Sequence, residues 1–321
     1  MAVYLVTGGA GFIGSNLVEE LVRQEAQVRV IDNFATGKPE NLTLFKDKID
    51  FREVDICDLK ALKEAVRGVD YVFHQAAIPS VPKSVIDPIT SHNADLTGTL
   101  HVLWAAKEAA VKRLVYAASS SAYGDNPELP KREEMPSRAI SPYGLMKYVG
   151  EEYCRLFTQL YGLETVSLRY FNVFGPRQDP SSQYSGVLSR FITAMLAGKR
   201  PVIFGDGEQS RDFTFVANVV QGNLLACHAS GVAGKMYNLA CGQRVNLNQV
   251  VAQLNNILGT TLEPIYEANR VGDIKHSLAE ISQAKADLKY TPSVQFQEGL
   301  RTTVDWYRQN LGNSVGSETA R

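Results

Sequence analysis

"VTGGAGFIGSNLVEELVRQEAQVRVID", residues 6–32, opens almost at the start of the chain and closes on an aspartate. The apolar run "VYLVT" leads into it and reads as a buried strand, residues 12–25 read as a helix, and "QVRVID" reads as a second strand. Gly8, Gly11 and Gly14 sit at the strand-to-helix junction. Glycine permits the positive φ of a tight turn and lets backbone N–H groups approach a diphosphate closely. The helix beginning there points the positive end of its dipole at the same place. Gly14, one turn in, lets helix and strand pack closely. A GxxGxxG spacing alone is a weak sign, since glycine turns also serve packing. The strand before it, the helix after it and Asp32 at the end of the next strand make it a dinucleotide turn. A carboxylate at Asp32 accepts from both ribose hydroxyls and repels a 2′-phosphate, so the expected cofactor is NAD rather than NADP. "VDICD" ends the third strand, where Asp55 and Ile56 are expected on the adenine by polar and apolar contact respectively.

Outward from this stretch, strand-like and helix-like segments alternate. "IDFREVD", "YVFHQA", "RLVYAAS" and "ETVSLRYFNVFG" follow as strands, the last after a helix near 143–161. Strand–helix–strand repetition predicts an α/β fold, a Rossmann-like doubly wound parallel sheet with helices on both faces, with ligands beyond the C-terminal strand ends. From about residue 175 the punctuation changes to Gly/Pro-rich loops and shorter mixed segments. We therefore expect an NAD-binding domain over 1–174. A smaller mixed α/β lobe over 175–310, mainly for substrate, is interleaved with it, and a polar tail spans 311–321.

Composition excludes several classes. Formal net charge is −1 with no basic block, which speaks against nucleic-acid binding. No apolar run reaches the roughly 18–20 residues of a membrane span, and no signal peptide is read at the N-terminus. The four cysteines form no CxxC pair, which suits a reducing cytoplasm. The five histidines are dispersed and no HExxH occurs, so no metal centre is expected.

Two later stretches carry chemistry, "YAASSSAYGD" at 116–125 and "SPYGLMKY" at 141–148. Ser141 caps a helix whose first turn accepts Pro142, and Tyr143 and Lys147 then share one helical face. An ammonium near a phenol is expected to lower the pKa of Tyr143 from about 10. A phenolate beside a nicotinamide takes a proton from a sugar hydroxyl as hydride leaves the same carbon, and Ser119 at a strand end is placed to share that proton path. YxxxK on its own is common on exposed amphipathic helices, so the reading rests on its company.

The motifs "TGGAGFIGS", "SSSAYGD" and "SPYGLMK" resemble the extended short-chain dehydrogenase/reductase family, and within it the NAD-dependent sugar-nucleotide epimerases. The resemblance runs to about residue 310. It implies that Asn33, Thr36 and Gly37 follow Asp32 around the adenosine ribose, and that Gln75, Ala76 and Ala77 of "HQAA" lie under the cofactor. Asn93 would support the catalytic strand, and Phe12, Ile13 and Tyr170 join the cofactor contacts. Tyr143 and Lys147 take the base and cofactor-ribose roles, with Ser119 as hydroxyl partner. Asn172 resembles a sugar and diphosphate contact, and Val187 and Leu188 begin a helix whose N–H groups meet a phosphate. Arg211 and Arg270 resemble a pair clamping the diphosphate, and Asp273 a uridine ribose contact. Guanidinium forks match phosphate oxygens, which suits that pairing. The resemblance also implies a homodimer through helices near 93–110 and 142–161.

The same resemblance narrows the reaction. Dehydratases of the family place an Asp-Glu pair after the catalytic hydroxyl residue, and decarboxylases also need an acid in that turn. Here Ser120 and Ser121 stand there. A 4-epimerase needs no second acid. Epimerases restricted to UDP-glucose and UDP-galactose resemble one another in a tyrosine four residues after the ribose-binding aspartate, where this chain has Ser277, and Gly186 is small too. Room for a 2-acetamido group follows, with Ser80, Ser120, Ser121 and Gln178 lining the sugar pocket. The expected substrates are UDP-N-acetylglucosamine and UDP-N-acetylgalactosamine, with UDP-glucose and UDP-galactose also accepted. A UDP-glucose or UDP-glucuronate 4-epimerase stays open, as does an NAD-binding sensor without catalysis.

Overall fold

A computed structural model describes residues 2–179, 186–268 and 275–311. Seven strands build one parallel sheet: β1 (Val3–Thr7), β2 (Gln27–Asp32), β3 (Ile49–Glu53), β4 (Tyr71–His74), β5 (Arg113–Ser119), β6 (Glu164–Tyr170) and β7 (Lys235–Leu239). Their order is β7-β6-β5-β4-β1-β2-β3 and every pairing is parallel. The order reverses between β1 and β4, in register at Thr7 and His74, and opens a crevice at their C-terminal ends.

Eleven helices are described: α1 (Phe12–Arg23), α2 (Leu59–Val66), α3 (Val81–Ile86), α4 (Pro88–His92), α5 (Gly98–Glu108), α6 (Pro142–Tyr161), α7 (Val187–Leu196), α8 (Val216–His228), α9 (Leu247–Leu258), α10 (Ser282–Leu288) and α11 (Phe296–Leu311). Successive strand side chains point to opposite faces, so each strand feeds two cores. Val6, Val30, Phe73, Val115 and Val166 pack with α1, α8 and α10. Leu5, Ile31, Val72, Leu114 and Tyr116 pack with α2, α5 and α6. A third core joins Phe174, Phe191, Phe213, Leu247, Val251, Val304 and Tyr307.

The chain crosses between these layers more than once. After the segment that carries α7, α8 returns to the first core and β7 extends the sheet beside β6. The doubly wound parallel sheet expected from the alternating pattern is the observed architecture. Among the described residues, no helix is long and apolar enough to cross a membrane.

Candidate active site

The glycine turn closes on itself tightly. Gly8 adopts φ +65, and a Cβ there would meet Ala76 Cα at 2.6 Å; one at Gly14 would meet the Gly8 carbonyl oxygen at 2.2 Å. Both positions therefore require glycine, for the turn and for the α1–β1 approach. Gly11 caps α1 without a side-chain bond, which leaves the N–H groups of the first turn, Phe12 and Ile13 among them, for an anionic partner.

Asp32 closes β2 beside this turn and is nearly buried. Its Oδ2 accepts from Ala10 N at 2.9 Å and its Oδ1 from Phe34 N at 2.8 Å. Each oxygen keeps a second lone pair, the arrangement a vicinal pair of ribose hydroxyls can use. Burial pushes the Asp32 carboxyl above its ordinary pKa, while the backbone N–H groups oppose the rise. Gly37 lies against it, its Cβ position 2.8 Å from the carboxylate oxygens. Asn33 donates to Asp55 at 3.0 Å, and Asp55 also receives Cys57 N at 2.7 Å. Thr36 is exposed, whereas Ile56 is packed onto Gly98.

Beneath the crevice a hydrogen-bond chain fixes the floor. Thr99 donates to the Asp95 carbonyl at 2.7 Å, so its oxygen accepts from His74 Nε2 at 3.0 Å. His74 Nδ1 then accepts from Thr7 at 2.8 Å, and Thr7 receives Ala76 N at 3.2 Å. Complete burial drives the His74 pKa down to about 3, so the ring is neutral and serves as a relay of fixed tautomer. Gln75 and Tyr170, both expected at the cofactor, are tied to each other at 3.1 Å, and Tyr170 takes Asn223 Nδ2 at 2.8 Å. Ala77 lies half-buried next in line. Asn223 on α8 carried no local signal of this role.

Ser119 ends β5, where its Oγ donates to Ser121 Oγ at 3.0 Å and accepts from Ser121 N at 3.1 Å. Ser120 follows in the 3-10 turn Ser120–Tyr123. Ser141 caps α6 by accepting Gly144 N at 3.1 Å, and Pro142 occupies its first turn. Tyr143 then faces Ser119. By surface exposure Tyr143 is half-buried, so a ligand in the crevice can reach it. Its phenol nonetheless sits in poorly hydrated surroundings, and burial pushes its pKa well above the ordinary value; Asp95 adds to the rise and the Ser119 hydroxyl opposes it.

This reverses the expectation that Lys147 draws the phenol down. The Lys147 ammonium, itself depressed by burial, donates to the Ala117 carbonyl at 2.9 Å and lies 6.0 Å from the Tyr143 ring centre. In these surroundings desolvation outweighs the attraction. Asn93 is expected from the resemblance to support the catalytic strand. It is exposed, its carbonyl taking the Cys57 thiol at 3.2 Å. The buried polar residue of that segment is Asp95.

A cavity of about 250 Å³ is lined in part by Asn172, Gln178, Gly186, Val187, Leu188 and Arg211. All six were singled out from the sequence. Asn172 takes a left-handed φ of 37 and donates to the Asp212 carbonyl at 3.1 Å. Gln178 is pinned between Val173 O at 3.2 Å and Ser189 Oγ at 2.9 Å. α7 begins at Gly186 without a side-chain cap and so presents its first N–H groups. Arg211 donates to Ser210 O and Lys275 O, both at 3.0 Å. Arg190 also lines the cavity, as do Gln209 and Phe204, which the sequence did not single out. Ser277 donates its N–H to Ser210 O at 3.0 Å on the strand edge beside Arg211. Ser80 caps α3 by accepting Lys83 N at 3.2 Å. Arg270 and Asp273 lie outside the described residues.

Known proteins are similar to this chain in sequence and fold. The sequence model of the NAD dependent epimerase/dehydratase family matches residues 4–240. A UDP-N-acetylglucosamine 4-epimerase from Methanobrevibacter ruminantium, solved with UDP-N-acetylmuramic acid, is 38% identical with a TM-score of 0.92, covering 96% of this chain and 98% of its own. A UDP-glucose 4-epimerase from Thermotoga maritima, solved with UDP-glucose, is also 38% identical with a TM-score of 0.92, covering 96% and 99%. A UDP-glucose 4-epimerase from Thermus thermophilus, solved with NAD, is 36% identical with a TM-score of 0.87, covering 96% and 99%. The glycine turn, the buried Asp32 and the Ser119–Tyr143–Lys147 cluster thus belong to a member of the NAD-dependent epimerase/dehydratase family, with NAD as its cofactor.

Proposed function

We propose that the chain is a UDP-N-acetylglucosamine/UDP-N-acetylgalactosamine 4-epimerase that also turns over UDP-glucose and UDP-galactose. The observation that carries the reaction is the Ser119–Tyr143 pair with serines, not carboxyls, at the two positions after Ser119. NAD, when bound, would supply reversible hydride acceptance at C4. Tyr143 takes the C4 hydroxyl proton as hydride leaves C4 and, once the 4-keto sugar has turned over, returns a proton to O4, with Ser119 hydrogen-bonded to the reacting oxygen. Lys147 lies one turn along the same face of α6 and orients the cofactor ribose. With no acid at Ser120 or Ser121, loss of water or of a carboxylate lacks its proton donor.

The cavity suits the nucleotide diphosphate. The open start of α7 offers N–H groups to one phosphate and Arg211 offers guanidinium donors to the next. Its lining does not include Ser119 or Tyr143, which agrees with a substrate that reaches from this cavity to the sheet. The sugar is decided by size. Ser277 and Gly186 are small, and relatives that act on either hexose are equally similar, so identity does not choose between them. Removing a clash admits the acetamido group without rejecting the plain hexose.

The test is to incubate the purified protein, without added cofactor, with UDP-N-acetylglucosamine, UDP-glucose, UDP-glucuronate and UDP-xylose and resolve C4 epimers by NMR. Epimers from the first two, strongest from the acetylated sugar, are expected. Ser277→Tyr is expected to cut turnover of the acetylated pair at least tenfold while sparing UDP-galactose; equal losses on both would remove this position from the size argument.

We further propose a homodimer in the cytoplasm, an assignment consistent with four free cysteines. Leu145, Leu160 and Tyr161 of α6 are exposed at 54%, 67% and 47%, an apolar surface that a second α5–α6 pair would cover. Light scattering should give twice the 35.3 kDa chain mass.

A further inference from the structure

Asp95 stands on a single π turn, Asn93–Thr97, between α4 and α5. Such turns interrupt the helical ladder and recur at functional positions. The turn packs against α6, the helix that carries Tyr143 and Lys147. Asp95 is fully buried. Its Oδ1 accepts from Ile78 N at 2.7 Å, in the loop that follows "HQAA", while Oδ2 has no hydrogen-bond partner. A buried carboxylate with one bare oxygen is costly unless a charge offsets it. Lys147, also buried, is the cation available: its Nζ donates to Ala117 O and retains further N–H groups.

We propose that Asp95 is a positioning residue for the Tyr143–Lys147 pair, its bare Oδ2 being the fixed negative charge against which that ammonium and that phenol are held. The inference rests on the epimerase reading. Burial raises the Asp95 carboxyl, and both Lys147 and the Ile78 N–H oppose the rise in favour of the ionised form. In return Asp95 raises the Lys147 ammonium and the Tyr143 phenol. The other titratable groups around the pair are Glu151 and Cys154 on α6, Tyr116 on β5, and His74 on β4, which reaches the turn through Thr99. Removing one negative charge lowers both pKa values together.

The sign is therefore the same for both limbs of the activity profile. Both limbs belong to the coupled Tyr143–Lys147 pair rather than to either group alone, so a shift of both groups in one direction moves both limbs together. Asp95→Asn keeps an acceptor for Ile78 N–H at unchanged size but removes the charge. Its whole kcat/KM–pH profile is expected to slide to lower pH by about one unit, the size of effect that one nearby charge imposes. NAD content and thermal unfolding serve as controls for fold and cofactor seating. Asp95→Ser, which also offers an oxygen to Ile78, carries the same expectation if the first variant does not accumulate. An unmoved profile in a folded, NAD-loaded variant overturns the inference, since a purely structural Asp95 would lower activity without shifting either limb. If the unaltered protein epimerises none of the four sugars, the functional reading fails instead, and the two failures are distinct.

Discussion

Tyr143→Phe is expected to lower epimerisation by about 10²–10⁴-fold, the range that a positioned acid–base group contributes, while NAD stays bound. The substitution removes one oxygen and leaves the rest of the position in place. The Tyr143 N–H still reaches Ser84 Oγ at 3.1 Å, and Ser141 still caps α6 at Gly144 N. The Gly8–Gly14 turn, proposed for the diphosphate, follows β1, on the other side of the switch point from β5 and α6. Burial holds the phenol well above its ordinary pKa, so the unaltered protein should gain activity as pH rises along its acid limb. The residual rate of the variant should lose that dependence. The measurement is kcat across pH with NAD counted per chain. A variant that turns over UDP-sugars at the original rate would show that the proton goes elsewhere.

The residues of this argument differ in how openly the chain displays them. Gly8, Gly14, Asp32, Tyr143 and Lys147 are fixed by short spacings on one strand, one turn or one helix, so local periodicity exposes them. The burial of Asp95 is not legible locally, because which polar residue of the Asn93–Thr97 turn faces α6 depends on how that helix packs. The sign of the Tyr143 shift was misjudged. The YxxxK spacing announces the attraction, whereas desolvation depends on β5, α6 and the π turn closing together. Asn223 and β7 come from residues far along the chain, and their places beside Tyr170 and β6 are set by non-local pairing. Ser277 occupies a position whose meaning came from resemblance; the structure adds that its backbone is bonded to Ser210, next to Arg211.

Glu151→Ala is expected to cost about 3–5 kcal/mol of folding stability, the penalty for stranding a buried charge. Glu151 on α6 and Arg169 on β6 form a two-bond pair, Nε to Oε1 at 2.8 Å and Nη2 to Oε2 at 2.7 Å, with side-chain exposures of 5% and 2%. The guanidinium also lies 4.4 Å from the centre of the Tyr123 ring, whose hydroxyl donates to Asn238 at 2.7 Å. Its Nη1 has no hydrogen-bond partner, and without Glu151 the guanidinium keeps only the Tyr123 ring and the more distant pull of the Glu133 carboxylate. Against a typical total of about 5–15 kcal/mol, such a loss removes a large share of the folding free energy. Glu152→Ala, one residue on, breaks an exposed pair with Arg155 at 2.9 Å and should cost no more than about 1 kcal/mol. Urea unfolding of the two variants separates the cases, and equal midpoints would mean that the buried pair is not what fastens α6 to the sheet. The consequence reaches the chemistry, because Glu151 stands one turn beyond Lys147 on the same helix. A weakened Glu151–Arg169 fastening should loosen the geometry of Lys147 before it unfolds the protein.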